Sequence, residues 1–221
     1  MDITPGLRER KKAQTRQHIA DAAAVLFSER GYDAVTMLEV ARAAEVSDQT
    51  VYNYFAAKQD LVLDRAEQFR DAYRTAVVQR PAGVSPAAAL RPSVVADVER
   101  YRTADLDVAK GEFIAQSVES SVLRRFTLEE RERQAQVIAD ALVETTPQLP
   151  RIVAHSHASA IVAVIQAVYD EIGTGILNRS AQDETADAMR ATVDVAFSSL
   201  HETFAHLLAI AQNPTNARTQ P

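Results

Sequence analysis

Residues 35–55 read VTMLEVARAAEVSDQTVYNYF, and two closely spaced helix starts lie inside them. In Thr36-Met37-Leu38-Glu39 the threonine hydroxyl can accept a free backbone N–H while the glutamate reaches back to the cap N–H, a capping box. Met37, Val40, Ala41 and Ala44 follow at 3,4 spacing, so a short helix is expected over about 37–44. Glu45-Val46 turn the chain. Ser47 is a second N-cap, and Asp48 sits in the first turn, where the helix dipole favours an anion. The next helix, about 48–55, buries Val51 and Phe55 at i, i+4. Its remaining side chains, Asp48, Gln49, Thr50, Tyr52, Asn53 and Tyr54, leave a polar face.

Upstream, Ile19, Ala22, Ala23, Leu26 and Phe27 form one apolar stripe of a first helix, about 10–30, closed by Gly31 after the last-turn cation Arg30. Two helices of about eight residues cannot carry a core alone. Held on a longer first helix by Val46, Val51 and Phe55, they make a helix-turn-helix. The amides, hydroxyls and phenols of the third helix are groups that hydrogen-bond base edges and phosphate oxygens. Lys58, just beyond, is a candidate phosphate-binding cation. The capped start of the second helix suits a phosphate oxygen.

Downstream, Val62, Ala66, Phe69, Tyr73, Ala76 and Val77 predict an unbroken fourth helix over about 58–79, ended by Pro81-Ala82-Gly83. Further helices are expected at about 87–104, 107–120, 128–144, 150–178 and 183–211. The expected fold is all-α. An N-terminal helix-turn-helix domain, 1–57, is joined through the long fourth helix to a helical domain, 58–221.

Composition narrows the chemistry. The 221 residues include no Cys and no Trp, with 6 Gly and 8 Pro. Disulfides, thiolate metal sites and cysteine nucleophiles are thereby excluded. The net charge is −6, yet Arg8, Arg10, Lys11, Lys12 and Arg16 stand against Glu9 alone, a basic arm of the kind that binds phosphate locally. His201 and His206 are i, i+5 and His155 and His157 i, i+2, neither of which is the i, i+4 spacing of zinc ligands on a helix. Gly173-Thr174-Gly175 lacks the third glycine of a dinucleotide loop. No enzyme, metal or cofactor is expected. The apolar run 158–169 is shorter than the ~20 residues of a membrane span, and no apolar block follows the N-terminal charges as in a secretory signal, so a soluble, cytoplasmic protein is expected.

The stretch IADAAAVLFSERGYDAVTMLEVARAAEVSDQTVYNYFAAKQDLV resembles the N-terminal domain of the TetR family of transcriptional regulators nearly throughout. The resemblance rests on the Ala-Ala and Leu-Phe pairs of the first helix, Gly31-Tyr32, Val35-Thr36, Val40-Ala41, Val46-Ser47, the run from Thr50 to Phe55, Lys58 and Leu61. It implies that Thr36 and Tyr52 grip phosphates and that Lys58 clamps the backbone. Gln49, Thr50 and Tyr54 would meet bases or nearby phosphates, with Ser47 capping and touching phosphate and Asn53 given less weight. The arm through Arg16 would reach the flanking backbone or minor groove. The resemblance further implies a homodimer on a near-palindromic operator in double-stranded DNA, repressing until a small molecule binds the C-terminal domain and shifts the fourth helix.

Outside the N-terminal domain the resemblance supplies architecture only. Aromatic or polar type on predicted inner faces selects Phe69, Tyr73, Tyr101, Phe113, Gln116, Phe126, His155, Gln166 and Tyr169 as pocket candidates, and with them a largely apolar or aromatic effector. Ser156, Ala160, Ala163 and Ala167 form a small-residue stripe on one of the last two helices. Val193, Ala196, Phe197, Leu200, Phe204 and Leu207 form an apolar face on the other, so the pair is expected to dimerise. The alternative is a helical ligand-binding or interaction protein whose N-terminal unit does not read DNA, to which Asp48 and the acidic body point.

Overall fold

The computed structural model describes residues 6–63 and 66–212. Among them are ten α-helices and no strand: α1 Leu7–Arg30, α2 Met37–Ala43, α3 Asp48–Tyr54, α4 Ala66–Val78, α5 Pro86–Arg102, α6 Leu106–Ala109, α7 Phe113–Glu119, α8 Ser121–Thr145, α9 Arg151–Asn178 and α10 Gln182–Gln212. The all-α expectation holds.

Two expected helices are broken. The fourth does not start at Lys58. Residues Lys58–Leu61 form a separate 3₁₀ turn, closed by Asp60 Oδ2 accepting the Ala57 N–H at 2.9 Å. The helix expected over 107–120 is divided into α6 and α7 around Gly111. A Cβ there would lie 2.0 Å from the Ala24 carbonyl oxygen, so glycine is required where this loop meets α1.

The chain forms two compact units. The first comprises residues up to 65 together with Asp105–Phe126; the second comprises Ala66–Ala104 and the chain from Thr127 onward. The division therefore differs from a single cut at 57/58, since a later segment of the chain is built into the first unit.

In the first unit Ile19, Ala23, Phe27, Tyr32, Val35, Val40, Val51, Phe55, Leu61 and Leu123 form one buried cluster. The local devices read from sequence are present. The Glu39 N–H donates to Thr36 Oγ1 at 3.3 Å, and the Thr36 N–H donates to Glu39 Oε2 at 2.8 Å. Arg30 Nη1 donates to the same carboxylate at 2.8 Å. Hydrogen bonds from Thr36 and Arg30 hold the Glu39 carboxyl down at about 2. Between α2 and α3, Glu45 takes the left-handed conformation at φ 52, which costs a non-glycine residue ~1–2 kcal/mol. The turn recovers part of this through the Val46 N–H donating to the Ala41 carbonyl at 3.0 Å. Ser47 Oγ accepts the Thr50 N–H at 3.1 Å and starts α3.

The inserted segment is tied in by polar groups. Gln116 is fully buried. Its Oε1 accepts the Tyr32 N–H at 2.6 Å, while its Nε2 donates to the Lys110 carbonyl at 2.7 Å and the Phe27 carbonyl at 3.2 Å. Ser120 Oγ donates to Asp33 at 2.7 Å, and Ser28 Oγ donates to the Asp107 carbonyl at 2.5 Å.

In the second unit α10 packs along α5, and α9 packs against both. Val94, Val98, Ile161, Ile165, Val193 and Phe197 are buried. At the α5 end, Arg102 pairs with Glu99, Asp183 and Asp187 at 3.0, 3.2 and 2.6 Å. Gly175 of α9 lets Tyr101 approach, since a Cβ there would fall 2.4 Å from the phenol oxygen. Taken with its flanks, the apolar run noted in the sequence lies in a 28-residue helix, α9, long and apolar enough to cross a membrane by length and composition alone. Ala154, Ala158, Ile161, Val162, Ile165, Val168 and Ile172 are buried inside the unit.

Candidate nucleic-acid interface

Helix geometry decides what α3 shows. At 100° per residue, Val51 and Phe55 define one side; they are 0% and 1% exposed. Gln49 and Asn53 fall almost diametrically opposite and are exposed, as are Ser47, Asp48 and Tyr52. Gln49 Nε2 donates to Asn53 Oδ1 at 3.0 Å, so the outermost line of the helix is a joined amide pair. Asn53, given little weight from sequence, is thus as central as Gln49; the same angular arithmetic applied to the sequence would have shown it.

Other expected contacts have local work. The Thr36 hydroxyl is exposed and donates to Glu39 Oε2 at 2.7 Å. Thr50 is half-buried, its hydroxyl 2.7 Å from Ser47 Oγ. Tyr52 is 52% exposed. Tyr54 is half-buried against the first unit's core.

Two cations are turned inward. Arg16 Nη1 donates to the Tyr54 carbonyl at 2.5 Å, and its guanidinium lies 4.3 Å from the Phe55 ring centre. Arg16 therefore closes the C-terminal end of α3, where a cation meets the negative end of the dipole. Lys58 Nζ donates to the Tyr32 and Val35 carbonyls, both at 2.8 Å, and lies 4.1 Å from the Tyr32 ring centre. Two of its three N–H donors are spent inside the unit, and burial lowers its pKa. Neither cation has the extended pose expected of a phosphate clamp. Arg8, Arg10, Lys11 and Lys12 are exposed on the first turns of α1, so the basic arm is helical from Leu7 onward.

The nine pocket candidates are divided between the two units. Phe113, Gln116 and Phe126 belong to the first unit. There Gln116 is consumed by backbone hydrogen bonds, and Phe126 packs on the buried cluster. Phe69 is 41% exposed on α4. His155 faces Glu132 at 3.7 Å, and Gln166 donates to Asp170 at 2.9 Å. Tyr73, Tyr101 and Tyr169 do lie inside the second unit. Tyr169 donates to Asp97 Oδ2 at 2.7 Å, and its hydroxyl stands 3.4 Å from that of Tyr73. Burial pushes the Tyr73 phenol up to about 12 and Tyr169 well above its usual value. Among the described residues no group of three or more His, Asp or Glu is placed to hold a metal.

Comparison with known proteins agrees with the geometry of the first unit. The family model described as bacterial regulatory proteins, tetR family, matches residues 19–64. The HTH-type transcriptional regulator TcmR of Streptomyces glaucescens is 34% identical over 107 residues, covering 48% of this chain and 47% of that protein; the match thus spans about half of the relative's length. Among solved structures, NalD of Pseudomonas aeruginosa, described as the secondary repressor of the MexAB-OprM multidrug efflux pump, aligns over 85% of this chain and 97% of its own with a TM-score of 0.55 at 18% identity. A SmeT–triclosan complex aligns over 84% and 91% with a TM-score of 0.59 at 17% identity. These two share the fold. Residues 19–64, the helix-turn-helix part of the chain, are thus similar to the tetR family of bacterial regulatory proteins.

Proposed function

We propose that the protein is a transcriptional regulator that binds double-stranded DNA as a homodimer, represses, and is released by a small molecule. The observation that carries this reading is the outward face of α3. Gln49 and Asn53 are exposed opposite the buried Val51 and Phe55, with Tyr52 exposed on the flank, on a helix capped by Ser47. The exposed Arg8, Arg10, Lys11 and Lys12 supply the sequence-independent attraction to phosphate. Tyr52 and Ser47 are the phosphate partners in this reading, Thr36 reaches a phosphate only by giving up its hydroxyl bond to Glu39, and Thr50 and Tyr54 lie at the edges of the contact. Arg16 and Lys58 hold the reading helix and its support rather than the duplex.

One seven-residue helix reads few base pairs, and two of them about 34–36 Å apart multiply the specificity. The second copy docks on α9 and α10 in this reading. Ile152 and Val195 are 77% and 73% exposed, the small residues Ser156, Ala160 and Ala163 are also exposed, and a groove of about 270 Å³ lies between the two helices. The effector belongs in the second unit near Tyr73, Tyr101 and Tyr169, whose rings favour a largely apolar or aromatic molecule; the SmeT–triclosan complex supports that class. Complete release, from 1:99 to 99:1, needs about 5.5 kcal/mol of differential effector affinity. The protein acts in the cytoplasm, where its DNA lies, and carries out no catalysis.

The test is a mobility shift at low salt with DNA from upstream of the protein's own gene, combined with light scattering to count subunits. A shifted dimer supports the reading. A monomer, or no shift at low salt, overturns it.

A further inference from the structure

We propose that Gln49 reads an adenine in each half-site, and that Asn53 is the residue that orients it. The inference rests on the DNA-binding reading and names the base at its centre. Gln49 and Asn53 occupy the line of α3 farthest from Val51 and Phe55, so they enter a groove deepest. A glutamine amide has two N–H donors and one oxygen acceptor. One N–H is taken by Asn53 Oδ1 at 3.0 Å. A half-turn of the Gln49 amide would set its oxygen against Asn53 Oδ1, two acceptors face to face. In the structure Gln49 donates and Asn53 accepts, and only turning both amides together would exchange the roles.

What Gln49 has left is one N–H beside one carbonyl oxygen. In the major groove adenine alone offers the complement, the N7 acceptor beside the N6 amino donor. Guanine presents two acceptors, N7 and O6, and would oppose the Gln49 oxygen. Cytosine presents a donor only, and thymine an acceptor and a methyl group. The hydroxyls nearby, Thr50 Oγ1 and Ser47 Oγ, share one hydrogen bond of 2.7 Å at the cap, which leaves the pair a single O–H for a phosphate. Asn53 acts through Gln49 and is a positioning residue.

The experiment is enrichment of a randomised duplex library by the full-length protein and four variants, all at exposed positions, with circular dichroism confirming the fold of each. The parent is expected to enrich sites with one adenine per half-site favoured about tenfold or more over other bases. Gln49→Ala should flatten that position and leave the rest of the site intact. Gln49→Glu should move it toward cytosine, whose amino group a carboxylate accepts. Asn53→Ala should weaken the adenine preference, and Asn53→Asp, which keeps the accepting oxygen, should restore it while lowering affinity for all sequences. An enriched site that is unchanged in Gln49→Ala, or that carries guanine at the position Gln49 controls, overturns the inference alone. Failure to enrich any duplex at low salt removes the DNA-binding reading and this inference with it.

Discussion

Replacing Gln116 by leucine removes three hydrogen bonds while keeping the side-chain volume close to constant, so the cost is almost purely polar. The Tyr32 N–H loses the acceptor it holds at 2.6 Å and is left buried and unpaired, at ~1–3 kcal/mol. The Lys110 carbonyl loses the donor at 2.7 Å, roughly another 1 kcal/mol. The Phe27 carbonyl still accepts the Gly31 N–H at 2.9 Å and loses little. The sum is about 2–4 kcal/mol, offset in small part by the added apolar burial. For a chain of this size that corresponds to a fall in Tm of about 5–15 °C. Thermal unfolding followed by circular dichroism, without DNA or effector, reads it directly. Gln116→Glu sharpens the test. Its carboxylate can still accept from Tyr32 but cannot donate to either carbonyl, so it should be at least as damaging. A Gln116→Leu protein melting within a degree of the parent would refute the assignment of this side chain to the frame of the first unit.

Other substitutions probe other joints. Lys58→Met should lower stability by about 1–3 kcal/mol in the absence of DNA, because two charge-assisted bonds to carbonyls are lost; an unchanged urea midpoint would return Lys58 to a role on the duplex. His157 is 4% exposed, its Nε2 has no hydrogen-bond partner among the described residues, and burial lowers its pKa to about 4. The unfolded chain therefore takes up this proton first as pH falls below about 6.5. Stability should decline from there to about pH 4, by about 3 kcal/mol. A His157→Phe variant should lose less stability over that interval, and equal losses in both proteins would show the imidazole to be free to ionise. Gly175→Ala should cost about 1–3 kcal/mol by driving a methyl into Tyr101. Tyr101→Phe should be nearly neutral, since its buried hydroxyl has no hydrogen-bond partner among the described residues, and should relieve part of the Gly175→Ala cost; strictly additive effects in the double variant would show that the two residues do not meet.

The helix-turn-helix was legible because its determinants are local. Thr36 with Glu39, Ser47 with Thr50, and the apolar spacing of Val40, Val51 and Phe55 all act within one or two turns, and each is where the sequence predicts it. What could not be read is long-range. Gln116 looks like a pocket amide until Tyr32 and Phe27, more than eighty residues earlier, are seen beside it. Lys58 looks like a surface cation until the Tyr32 ring and two carbonyls are found beneath it. The break after Leu61 is hidden because apolar periodicity runs through it undisturbed, and the α6–α7 break because the need for Gly111 lies in α1. The pocket candidates divide between the two units for a similar reason. Residue type shows that a side chain is aromatic or polar, but not which of two cores will claim it.

The segment Asp105–Phe126 also has a bearing on synthesis. A ribosome releases α1, α2 and α3 early, but the Tyr32 N–H has no Gln116 to meet until about sixty further residues have been added after Tyr54, roughly 3–12 s at ~5–20 residues per second. During that interval the N-terminal helices must persist as an unfinished assembly with an open flank, a natural station for a holding chaperone. Stalled nascent chains ending before residue 105 should be cut by protease in this region, and chains extended well past residue 126 should resist.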